Sequence, residues 1–148
     1  METMTVQATE VLHYKGEQLS MRTEPLSDYF AQMGHQPDFQ KQSTACWRGY
    51  VGQWEILLDR LYLVGISATY ADGTGVGLDS LFPGFADRVF AHWYTGVINI
   101  SKGKLIKYVH MGYLSQYEQD LFLAVENGIV VETQLRDNTQ ATSQGGQR

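Results

Sequence analysis

The sequence predicts a mainly β single domain, an antiparallel meander of about eight strands, closed as a barrel or folded as a sandwich, with one short helix. Three observations carry this. Runs of strand length alternate in character, most clearly over residues 44–56. There Cys46, Arg48, Tyr50, Gly52, Trp54 and Ile56 share one face, and Trp47, Gly49, Val51, Gln53 and Glu55 the other. Turn chemistry recurs at Lys15-Gly16, Leu58-Asp59, Lys102-Gly103 and Asn127-Gly128, each with Gly or Asp at the second position, where positive φ is tolerated. Finally, the pattern Y-x-G-x-x-x-I-x-x-x-x-L occurs at residues 50–61 and again at 94–105, an offset of 44. It reads as two equivalent hairpins in one sheet.

The elements follow in order. Residues 11–22 form the first hairpin around Lys15-Gly16. Leu26, Tyr29, Phe30 and Met33 fall at i, i+3, i+4 and i+7, which predicts a helix with one apolar face, capped by Ser27 and ended by Gly34 in the left-handed conformation. The polar residues 35–42 lead into the central hairpin, whose return strand covers 60–70. Residues 71–91 are the longest irregular stretch and are expected to be a functional loop or lid, with one helical turn over 78–82 stopped by Pro83-Gly84. A strand over 88–100 is expected to turn at Lys102-Gly103 and pair with 104–110. The last hairpin joins 119–125 to 129–136 across Asn127-Gly128. The domain is then 1–136, and the tail 137–148, with no apolar residue larger than Ala, is expected to be disordered.

Composition narrows the function. The 148 residues suit one core, and 43% hydrophobic against 18% charged residues is a globular balance. A net charge of −5 repels phosphates, which argues against nucleic acid and favours a basic protein partner. Cys46, the single cysteine, excludes an internal disulfide and a Cys-rich zinc site. The first residues, METMTVQATE, lack a basic and apolar leader, and no run approaches 18 apolar residues. A cytoplasmic protein without a membrane segment is expected.

No G-x-S-x-G, H-E-x-x-H or C-x-x-C motif occurs. The Gly-rich loop 72–77 lacks both the dinucleotide fingerprint and the P-loop Lys, and Asp72, Asp79 and Asp87 do not have calcium-loop spacing. The expected turn at Lys102-Gly103 would place Thr95 opposite His110 and Val97 opposite Tyr108. It would gather His92, Tyr94, His110, Tyr113, Tyr117 and Glu118, with Asp120 nearby, at one end of the sheet. A histidine beside a carboxylate can move protons, and tyrosines can orient a ligand; the bland alternative is an aromatic strand end. Arg48, inside a strand, is expected to stack on Trp47 or Tyr50 or to clamp a substrate carboxylate. Trp54 and Tyr108 are singled out because the two copies differ there, Trp54 against Ile98 and Val64 against Tyr108. The candidate binding residues are therefore Arg48, Trp54, His92, Tyr94, Tyr108, His110, Tyr113, Tyr117 and Glu118. No catalytic residue, metal or cofactor is assigned.

The runs CWRGYVGQWEI with LYL, and RVFAHWYTG with KLIKYVHMGY, resemble small uncharacterised bacterial proteins over residues 44–131. That resemblance implies a bacterial or mobile-element origin and assigns no residue a role. The functional expectation is a small acidic inhibitor or immunity-like protein, monomeric or homodimeric, that blocks a protein partner through exposed aromatic residues. The alternatives are a small-molecule-binding barrel with residues 70–91 as lid, and a hydrolase or lyase using His92 or His110 with Glu118 or Asp120.

Overall fold

The computed structural model describes residues 9–41, 49–107 and 116–138. Its strands are β1 (Glu10–Tyr14), β2 (Glu17–Met21), β3 (Tyr50–Leu57), β4 (Arg60–Ala68), β5 (Val89–Phe90), β6 (Gly96–Lys107), β7 (Gln116–Glu126) and β8 (Ile129–Asp137). Two helices, α1 (Pro25–Met33) and the single-turn α2 (Leu78–Leu81), complete it. The eight strands form one sheet in the order β3-β1-β2-β6-β7-β8-β4-β5, and a further β3–β4 pairing closes it into a barrel.

Three tight turns are as expected. Lys15 and Gly16 have φ of 51° and 80°, Leu58 and Asp59 52° and 61°, and Asn127 and Gly128 49° and 84°. Positive φ at both central residues marks the type I′ turn, whose twist matches that of the strands it joins. Three pairings depart from the meander: β2 pairs with β6, β4 pairs with β8, and β1 runs parallel to β3, Leu12 beside Trp54. Parallel neighbours need a long crossover, here supplied by β2, α1 and the chain after it.

α1 starts one turn earlier in character than expected. Pro25 stands at the first helical position, where its fixed φ suits the helix and its missing N–H costs nothing. Glu24 is the N-cap, and Ser27 instead shares a 2.7 Å hydrogen bond with the Tyr50 hydroxyl. Gly34 does end the helix at φ 75°. The buried face, Leu26 and Phe30, packs on the core, with Phe30 edge-on to Tyr50 at 5.8 Å. The long loop joins the same core through Val76, Leu78 and Phe82. Phe82 stacks on Trp93 at 5.6 Å, and the Trp93 indole N–H donates to the Pro25 carbonyl at 2.9 Å. Leu12, Met21, Tyr50, Trp54, Leu61, Leu63, Ile98, Ile100 and Leu123, all fully buried, fill the interior.

The second copy of the repeat is not a hairpin. β6 continues through Lys102-Gly103, and the whole of it pairs with β7, from Gly96 opposite Val125 to Lys107 opposite Gln116. Gly103, at φ 82°, lies in a β-bulge between the Lys102–Gln119 and Leu105–Tyr117 pairs. The reason is that a positive-φ glycine serves a bulge as readily as a turn. Pairing with β7 also sets buried Ile98 and Ile100 against buried Leu123 and Leu121, a ladder no local hairpin offers. The expected strand over 88–100 is likewise divided: only Val89–Phe90 pairs with β4, and β6 begins at Gly96. At the other end β8 extends to Asp137, and Asn138 is buried, so the fold passes the expected boundary at 136. Residues 139–148 of the expected tail lie outside the described residues.

Candidate functional site

The expected cluster of histidine, tyrosine and carboxylate is divided by the β6–β7 register. His92 and Tyr94 precede β6, beside the β7–β8 turn, where the Gly128 N–H donates to the Tyr94 carbonyl at 2.9 Å. Tyr117, Glu118 and Asp120 lie at the far end of β7. At about 3.3 Å per residue, the two groups stand roughly 20 Å apart along the sheet. His92 therefore has no proton-transfer partner in Glu118 or Asp120. Arg48, Tyr108, His110 and Tyr113 lie outside the described residues.

Of the remaining candidates, Trp54, Tyr94 and Glu118 have structural occupations. The Trp54 side chain is fully buried, and its indole N–H donates to Glu10 Oε1 at 2.9 Å. Glu10, also fully buried, accepts the Gly52 N–H through Oε2 at 2.8 Å. This explains Gly52, because a Cβ there would lie 2.7 Å from Trp54 Nε1. Gly96, its counterpart in the second copy, is held by Tyr94, whose hydroxyl oxygen would lie 2.8 Å from an added Cβ. Tyr94 is buried, and burial with the Asp28 charge pushes its pKa up to about 12. His92 is exposed and edge-on to Trp93. Glu118 accepts the Lys104 N–H through Oε1 at 2.9 Å and so holds the bulge.

Asp120 anchors a network that sequence reasoning did not assemble. Its Oδ2 accepts from Arg136 Nη2 at 2.5 Å and from Asn138 Nδ2 at 2.9 Å. Arg22 Nη2 stands 3.8 Å from Oδ1, and Arg22 Nε donates to Ser101 Oγ at 2.8 Å. Burial pushes the Asp120 carboxyl up, but the Asn138 and Arg136 hydrogen bonds and the Arg136 and Arg22 charges outweigh it and hold the pKa below the ordinary value. The group ties β2, β6, β7 and β8 together. Among the described residues, no cluster of His, Cys, Asp and Glu could hold a metal ion.

In the β3–β4 turn one large apolar side chain, Leu58, is left largely uncovered. Leu58 is 87% exposed at φ 52°. A left-handed Leu costs roughly 1–2 kcal/mol relative to its right-handed conformation, and exposure returns nothing through burial. Leu57 beside it is exposed as well. The turn borders a cleft of about 560 Å³ lined by the β1–β2 turn and by Tyr14, Glu17, Glu55 and Ile56. The seam of the barrel continues this surface: Asp59 accepts the Val130 N–H at 2.7 Å, Arg60 pairs with Ile129, and Ile129 and Val131 are exposed. The sequence did carry a signal, a Leu at the first position of a two-residue turn that favours Asn, Asp or Gly. Against known proteins, the chain matches no family model, no curated sequence and no solved structure.

Proposed function

We propose that the chain is a small acidic protein-binding module of the inhibitor or immunity type, which blocks a partner protein by docking its Leu57–Leu58 turn and the adjoining cleft. The observation that carries this reading is Leu58, an apolar side chain held out to solvent in a backbone conformation that disfavours it. Strained backbone persists where the surrounding structure or a function demands it, and at 87% exposure Leu58 gains little from packing. Interfaces concentrate their energy in a few side chains buried on binding and ringed by polar groups, and an exposed apolar side chain is free to take that place. The cleft lining is of mixed charge, with Glu55, Lys15 and Glu17, the last paired with Lys102 at 3.3 Å, so it is the net charge of −5 that favours a basic partner. Among the described residues, no helix is long and apolar enough to cross a membrane.

Leu58→Asn tests the reading because fold and binding should respond in opposite directions. Asn is preferred at this turn position, so the melting temperature should hold or rise by a few degrees. Affinity for the partner that co-purifies from the native host should fall about tenfold or more, the scale of one lost anchor. Unchanged affinity in the variant would remove the turn from the interface. Failure of the wild-type protein to retain any partner across its native proteome would remove the binding class itself.

A further inference from the structure

Among the described residues, the last strand leaves most of one edge of the barrel uncovered. β8 pairs with β7 along its length, but on its other side it meets β4 at a single position, Arg60 opposite Ile129. Residues 131–137 are all exposed, and among the described residues no strand lies along that edge beyond the closure. The chain itself sets both limits of the opening. At one end the Val130 N–H is taken by the Asp59 carbonyl. At the other, Asn138 turns inward, donating through Nδ2 to the Tyr117 carbonyl at 2.8 Å and to Asp120 at 2.9 Å.

Open edges are templates for another strand, and proteins blunt them with Pro, Lys, bulges or covering loops. Residues 131–137 read VETQLRD and contain neither Pro nor Lys. Val131 and Leu135 are 55% and 54% exposed, so the edge presents two apolar side chains among its polar and charged ones. Its midpoint is Gln134. On either side of that midpoint stand Glu132 and Arg136, opposite charges at equal distance. A strand patterned this way is complementary to its own antiparallel copy.

We propose that β8 is the interface of a homodimer, in which two copies pair antiparallel about a twofold axis through Gln134. This register uses the whole opening and stops where Asp59 and Asn138 block it. It sets Glu132 opposite the partner's Arg136, and Arg136 opposite the partner's Glu132. Gln134 meets its own equivalent, and Thr133 faces the partner's Leu135. Arg136 has the reach for this, because its side chain remains 60% exposed while Nη2 holds Asp120. The strands β6, β7 and β8 of each copy then continue into one another as a single sheet. Isologous pairing of this kind closes at two copies and leaves no edge for a third. The inference is independent of the reading given to Leu58, since Leu58→Asn leaves residues 131–137 untouched.

Sedimentation velocity from about 10 μM to about 1 mM, with two sets of variants, tests it. The wild-type protein should sediment as a dimer within that range. Glu132→Lys, which sets two like-charged pairs across the axis, should weaken the dimer at least tenfold. Glu132 is exposed, and the circular dichroism melt should confirm that the variant stays folded. The register has its own readout in a Cys46→Ser background. Directly opposed residues of an antiparallel pair have Cα atoms about 4.5–5.5 Å apart, within disulfide range. Gln134→Cys should therefore form an intermolecular disulfide under mild oxidation, and Thr133→Cys should not. A protein that stays monomeric to about 1 mM overturns the proposal, as does a dimer that ignores Glu132→Lys and fails to cross-link through position 134.

Discussion

Asp120→Asn is the perturbation that probes the architecture most sharply, because it changes one charge and almost no volume at the point where β2, β6, β7 and β8 are tied. The wild-type carboxylate accepts from both Arg136 and Asn138 through one oxygen and faces Arg22 with the other. An amide keeps one acceptor and presents an NH2 group to a guanidinium. At least one charge-assisted hydrogen bond is lost, worth about 1.5–3 kcal/mol. The Arg136 side chain is largely exposed, so its share is reduced by solvent screening. A net loss of about 1–2 kcal/mol follows, which for a domain of this size lowers the melting temperature by roughly 5 °C. The pH dependence provides the second half of the test. The folded carboxyl has a pKa below its unfolded value of about 3.9. Its contribution is thus fully present above that value and disappears as the pH falls through the folded pKa. Thermal melts of both proteins from pH 7 down to pH 2 should show the gap between them narrowing below about pH 4. A variant that melts within about 2 °C of wild type at pH 7, or a gap that stays constant with pH, would refute the reasoning.

Two further outcomes follow from the same structure. Gly103→Ala should destabilise the fold by about 1–3 kcal/mol in urea titrations, because the position needs φ 82° and an added Cβ would come within 2.8 Å of Glu118 Cβ; if Lys102-Gly103 were instead a solvent-facing hairpin turn, only the φ penalty would appear. In alkaline spectrophotometric titration, one tyrosine should resist ionisation until about pH 12 and vanish from the curve in Tyr94→Phe. Since the folded pKa of Tyr94 is raised, its contribution to stability is intact below about pH 10 and is lost as the pH climbs through 12.

Much of the fold was legible because its signals are local. The I′ turns at Lys15-Gly16, Leu58-Asp59 and Asn127-Gly128 lie where positive-φ residues stand, and Gly34 ends the helix as its missing Cβ allows. The alternation that sets Tyr50, Gly52, Trp54 and Ile56 on one face of β3 is kept, because side-chain direction along a strand depends only on the strand itself; that this face is the buried one is set by the barrel. The candidate site was less legible. Trp54 and Tyr94 are large aromatics used to pack against glycines, so residue type pointed to recognition where the barrel has a packing need. Leu58 was readable as half of a turn, but its exposure depends on what the neighbouring strands leave uncovered.

What the sequence determined, then, is what a few adjacent residues decide by their own backbone preferences: turns, the helix end and which side chains share a face of the central strand. What the tertiary structure decided is which strands meet. Gly103 satisfies the local rule for a turn and the local rule for a bulge equally well, and only the distant β7, with Leu121 and Leu123 to set against Ile100 and Ile98, selects the bulge. The parallel entry of β3 beside β1, the division of His92 from Glu118 and the open edge of β8 belong to the same class. Each depends on contacts between residues far apart in the chain, whose free energy appears only when the barrel closes.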